Sequence, residues 1–298
     1  MRMTIHTIDL HYQGTPGLIA AYVLRSGNEC ALIETGPGSC QAALIEGLHS
    51  LGLEPQDVGK VFVTHIHLDH SGAAGWWAQQ GAQVFVHPRG APHIIDPAKL
   101  IDSATRIYGN RMQELWGDIL PAPAERVTSL NDGDRIRVGH VEVEAWDTPG
   151  HARHHHAFVV GDVCFTGDVA GMVVPGCKYL SVTAAPPQFE PAPYLTSVTR
   201  LRAANLRQLY LTHFGAIDDP ATHLDRYADR IRLVHQNVAT WQAAGLTSAE
   251  IAERFAAAEK TTAGLPEGDW LRYEQGNSTA MCAAGIELFV VKSHTVVS

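Results

Sequence analysis

This sequence predicts a mixed α/β fold: two sheet-forming halves followed by a helical tail. Three observations carry the expectation. Short β-like apolar runs alternate with helical segments over residues 1–218, a proline-broken stretch at about 88–126 interrupts that alternation, and strand signals stop near Asp219.

Taken in order, residues 4–10, 18–25 and 31–34 read as strands divided by Gly, Pro and Asn turns, and after ETGPGS the apolar positions take helical spacing over 41–51. Residues 60–64, KVFVT, form a buried-type strand. HIHLDHSG follows at once, then a short helix through Trp76 and Trp77 and a strand at 83–87. The insertion at 88–126 is helical and irregular, with Pro92, Pro97, Pro121 and Pro123. Strands resume at 135–138, 141–146, 157–160, 163–166 and 208–212, and a helix spans 194–205. Beyond Asp218, helical spacing covers 220–243, 248–260 (opened by a cap-like Ser-Ala-Glu) and 277–291. The chain thus divides into a mixed α/β domain at 1–218 and a helical extension at 219–298.

Composition excludes several functions. With 22 Lys+Arg against 31 Asp+Glu the net charge is −9, which repels a phosphate backbone, and no basic cluster offsets it. Nucleic acid is therefore not an expected partner. No apolar run reaches the roughly 20 residues of a membrane helix, and the N-terminal residues lack the apolar core of an export signal. A cytoplasmic protein is expected, its five scattered cysteines reduced and without a CxxC pair.

The 17 histidines are clustered. In THIHLDHSG, His65 and His67 are two apart on extended chain and so face one side, while Asp69 and His70 follow as the backbone turns and address a second point. His151 in DTPGH, Asp168 in FTGD and His213 in YLTHFG each stand at a strand end. Imidazole with carboxylate suits Zn²⁺, Fe or Mn. In the run 154–156, alternation along a strand buries one histidine, and His154 is taken to line a substrate pocket or support a ligand. His6, His11, His49, His87, His93, His140, His223, His235 and His294 lie outside any motif and read as ordinary.

The ordered motifs HxHxDH, TPGH, TGD and THFG resemble those of the metallo-β-lactamase superfamily, over residues 1–218. The resemblance implies an αββα sandwich with its active site at one edge of the two sheets. It implies two divalent metal ions, zinc in the first instance, with His65, His67 and His151 on one, Asp69, His70 and His213 on the other, and Asp168 bridging both. Such a pair lowers the pKa of a bridging water enough to supply hydroxide, and Asp69 is placed to orient it and pass on its proton. The implied activity is hydrolysis of a small ester or thioester. Lactone or phosphodiester hydrolysis by the same site, an iron-dependent redox enzyme and a non-catalytic regulatory protein are the alternatives. Lys178 and Tyr179 resemble the basic and tyrosyl contacts that glyoxalase II makes to its thioester, and the tail is similar in layout to the branch holding the quinolone-signal response thioesterase. The helices after Asp219 are expected either to wall off a small-molecule pocket or to form a homodimer interface.

Overall fold

The computed structural model describes residues 3–295, with side chains to Ser293; His294 lies outside the described side chains. The chain separates into two compact units, the first running to Asp147 and resuming at His154–Gly167, the second comprising Thr148–Arg153 and the chain from Asp168 onward.

The first unit opens with β1 (Thr4–Asp9), β2 (Ala20–Ser26) and β3 (Glu29–Ile33), an antiparallel meander pairing Ile5 with Leu24 and Val23 with Leu32. Helix α1 (Gln41–Ser50) then crosses to β4 (Val58–Phe62), parallel to β3. Helices α2 (Leu68–Ser71) and α3 (Ala74–Gln79) lead to β5 (Gln83–Val86). From there α4 (Ala91–Ile95), α5 (Ala98–Tyr108) and α6 (Met112–Trp116) lead to β6 (Val127–Ser129). The sheet order is β1-β2-β3-β4-β5-β6. Parallel strands need such crossovers, and ligands gather beyond their carboxyl ends. The HIHLDH motif leaves the carboxyl end of β4.

The remaining strands of this unit are β7 (Arg135–Val138), β8 (Val141–Asp147), β9 (His156–Val160) and β10 (Val163–Gly167), paired antiparallel in sequence. Strands β9 and β10 are buried at every position. Aromatic rings fill the core: Phe62 stacks on Phe85 at 4.9 Å and meets Phe158 edge-on at 5.3 Å, while Tyr22 lies 5.4 Å from Phe165. Each such ring, fully buried, stabilises by about 1.5–3 kcal/mol.

The second unit holds α7 (Pro191–Ala203), the antiparallel pair β11 (Gln208–Leu211) and β12 (Gly215–Ile217), and helices α8 (Pro220–Ala243), α9 (Ser248–Ala263), α10 (Glu267–Gly276) and α11 (Thr279–Thr295). Asp219 caps α8 by accepting from the Thr222 amide, and Thr247 with Glu250 makes a reciprocal capping box on α9. Helix α11 packs on α8 and α9. At Gly285 it meets the segment before α7 so closely that a Cβ there would stand 1.9 Å from the Ala184 carbonyl.

Sequence spacing did not reveal β6, β12 or α10. The two strands have three residues each, too few to show a period, and α10 has a weak apolar stripe in which only Trp270 and Tyr273 are buried. The predicted tail helices are present, and Leu224, Tyr227 and Ile231 are buried within the unit, whereas Leu233 is 42% exposed. The described cysteines are all free thiols, and no described helix is long and apolar enough to cross a membrane.

Candidate metal centre

The first unit carries four of the motif residues on one turn of chain. His65 and His70 are fully buried, with His67 and Asp69 half-buried. His65 Nε2 stands 2.9 Å from His67 Nδ1, as expected of residues i and i+2 on extended chain, and the rings of His65 and His70 are 4.0 Å apart. Asp69 Oδ2 lies 3.7 Å from His70 Nε2.

A residue that motif reading passed over orders this half. Glu34, just past the end of β3 at positive φ and fully buried, accepts from the Thr64 amide at 3.2 Å, from Thr64 Oγ1 at 2.5 Å and from His70 Nδ1 at 2.9 Å. With its own proton given to Glu34, Thr64 Oγ1 accepts from His65 Nδ1 at 3.1 Å. One carboxylate thus fixes two tautomers, and His65 and His70 both present a basic Nε2. That is how metal-ligating histidines are usually oriented. The sequence signal was an acid closing an otherwise apolar strand.

The second unit holds the other three. His151 donates from Nδ1 to the Thr183 carbonyl at 3.1 Å, so its Nε2 carries a lone pair, yet that atom faces Asp168 Oδ2 at 3.2 Å. His213 Nε2 lies 3.4 Å from the other oxygen, Oδ1. All three residues are at most 4% exposed. A lone pair set against a carboxylate oxygen is repulsive, and a cation between the two removes the conflict. The donor chemistry therefore fits a metal. The main chain of Asp168 is held as well: its carbonyl accepts from Tyr194 Oη at 2.7 Å and Thr183 Oγ1 at 3.0 Å, and Tyr194 shares a 2.7 Å bond with Tyr227 of α8. Gly167 just before it, at φ +51°, admits no side chain, because a Cβ would stand 2.5 Å from Thr64 Oγ1.

The insertion contributes aromatic rings near Asp69. Trp116 stacks on Tyr12 at 5.8 Å and meets Tyr108 edge-on at 5.0 Å, and Ser39 Oγ pins the segment by donating to the Leu115 carbonyl. Burial, with the Asp69 charge adding to it, pushes the Tyr108 phenol up to about 12 and raises Tyr12 likewise. Both phenols stay protonated at neutral pH.

Two expectations change. All of His154, His155 and His156 are buried: the first two precede β9, and β9 itself, opening at His156, is buried at every position, so alternation sorts nothing there. The rings of His154 and His67 are 5.7 Å apart. Lys178 is exposed, but Tyr179 is buried, donates to Glu259 of α9 at 2.5 Å and packs on Tyr273 of α10 at 4.9 Å. Its hydroxyl is committed inside the second unit.

A family model described as the metallo-beta-lactamase superfamily matches residues 14–213. The metallo-beta-lactamase fold-containing protein ST1585 of Sulfurisphaera tokodaii is 26% identical over 161 residues, 53% of this chain and 60% of that protein. The Aspergillus niger lactamase-like protein adaB is 27% identical over 223 residues, 72% of this chain and 57% of its own length. The chain thus spans about 60% of the length of each of these relatives. Among solved structures, a Thermus thermophilus protein, TTHA1429, aligns over 98% of this chain and 94% of its own with TM-score 0.65 and 21% identity. The crystal structure of ST1585 aligns over 76% and 85% with TM-score 0.63 and 23% identity. These structures share the mixed α/β fold.

Proposed function

The chain belongs to the metallo-β-lactamase superfamily, and from that membership we propose that it is a metal-dependent hydrolase of a small ester or thioester. The observation that supports it best is Asp168, which turns one oxygen to His151 and the other to His213, an arrangement that would suit a carboxylate shared between two ions.

In this reading His65, His67 and His151 serve one divalent ion and Asp69, His70 and His213 the other, with zinc the first choice. When bound, the ions would lower the pKa of a coordinated water and polarise the scissile carbonyl. The remaining work falls to the chain. Glu34 and Thr64 keep His65 and His70 in the tautomer that offers Nε2, and the Thr183 carbonyl does the same for His151. Asp69, half-buried beside His70 Nε2, takes up the proton released during attack. Tyr12, Tyr108 and Trp116 pack into one aromatic cluster, and we propose that it borders the small organic acyl group of the substrate. We further propose that the protein works in the cytoplasm, with residues 219–298 as an extension of the catalytic domain at 1–218 and no nucleic acid or membrane among its partners.

The test is a panel of thioesters, esters, lactones and phosphodiesters, run on protein of measured metal content. About two ions bound by the seven motif residues and selective turnover of esters or thioesters are expected, with His151→Ala emptying one position and His213→Ala chiefly the other. Full occupancy with no hydrolysis of any of them, or efficient cleavage of long RNA or DNA, overturns the assignment.

A further inference from the structure

His87, Asp147 and His156 lie outside the seven motif residues, and all belong to the first unit. Each stands at a strand end: His87 follows β5, Asp147 closes β8 and His156 opens β9. Asp147 and His156 are cross-strand partners, so their side chains leave the ladder on the same face. His87 reaches that place from the other sheet. Its Nε2 lies 3.5 Å from Asp147 Oδ1, its ring is 4.7 Å from that of His156, and one ligand atom from each of the three falls within 4.8 Å of the others.

His156 is fully buried, and neither of its ring nitrogens has a hydrogen-bond partner. An imidazole buried with both nitrogens idle bears its whole desolvation cost, which an apolar side chain in the same space would not. Its N–H lacks an acceptor and its lone pair lacks a partner, and a metal ion would meet the lone pair. Two imidazoles and a carboxylate are a donor set for a borderline divalent ion.

We propose that His87, Asp147 and His156 form a structural metal site, separate from the motif centre, that holds one transition-metal ion of the zinc class between β5 and the β8–β9 pair. Solvent completes its coordination on the side of Asp147, whose side chain is 42% exposed. Binding makes one demand on the chain. The Arg89 amide donates to His87 Nδ1 at 3.0 Å, so without metal the His87 proton sits on Nε2. Coordination at Nε2 moves that proton to Nδ1, and coordination at Nδ1 displaces the amide. Either way the Arg89 bond breaks, and Arg89, being exposed, turns its N–H to water.

The experiment uses the full chain carrying His67→Ala and Asp168→Ala, which removes ligands from both positions of the motif centre. Titrated with Co²⁺, it should take up one ion per chain, with a ligand-field spectrum free of thiolate bands and a shift of the Arg89 amide resonance. Asp147→Asn and His156→Phe, each added to that background, should weaken uptake about tenfold or more. Should the background variant fail to fold, Asp147→Asn in the otherwise native chain should lower the metal content by one ion at a Co²⁺ concentration that just fills the native chain, and leave hydrolysis unchanged. No uptake by the folded background variant, a thiolate band, or a metal content indifferent to Asp147→Asn overturns the site.

Discussion

The Tyr194 phenol donates to the main-chain carbonyl of Asp168 at 2.7 Å, and Tyr227 of α8 stands behind it at the same distance from the Tyr194 oxygen. A residue 59 positions further along the chain thereby steadies a candidate metal ligand. The helical extension is part of what holds the ligand in place.

Tyr194→Phe should lower stability by about 1–3 kcal/mol, since it removes a buried donor and leaves Tyr227 Oη short of a partner. Metal affinity should fall with it. Urea melts and metal titration check both, and a Tyr194→Phe chain with unchanged metal affinity means that the Asp168 carbonyl needs no anchor beyond Thr183.

Glu34→Gln should weaken metal binding by roughly 10–100-fold while the fold survives, because the amide still accepts one hydrogen bond but no longer carries the charge that orders two imidazoles. Isothermal titration with Zn²⁺ measures it. An affinity within twofold of wild type removes Glu34 from the ordering role.

Asp69→Asn should cut turnover of a confirmed substrate by about 10²–10⁴ with a thermal midpoint near that of wild type, as Asn keeps the shape and loses the proton acceptor. If activity stays within a few-fold, the proton leaves by another group.

Acid should destabilise the metal-free chain below about pH 6.5. Burial, and secondarily the neighbouring His87, lowers the His156 pKa to about 3, and burial also lowers His223. Between about pH 3 and the unfolded value near 6.5, the unfolded chain binds the protons that the folded chain refuses, so stability falls as pH falls, by at most about 1.4 kcal/mol per pH unit for each group. In chelator-treated protein, His156→Gln should flatten this slope between pH 4.5 and 6.5. An unchanged slope assigns it to other groups.

By itself the sequence determined the strand–helix alternation, the helical tail and seven candidate ligands. These features rest on local rules: two residues on extended chain share a face, a strand end exposes the side chains just beyond it, and helical spacing repeats every three to four residues. Only tertiary structure decided which groups stand behind those ligands. Glu34 meets His70 across 36 positions and Tyr227 reaches Asp168 across 59; away from those ligands, His87 finds His156 across 69. No periodicity links such pairs, because their proximity arises from sheet order and helix packing. For the same reason His87 read as an ordinary histidine and Tyr179 as a substrate contact: a side chain's type is local, but its partner is chosen by the fold.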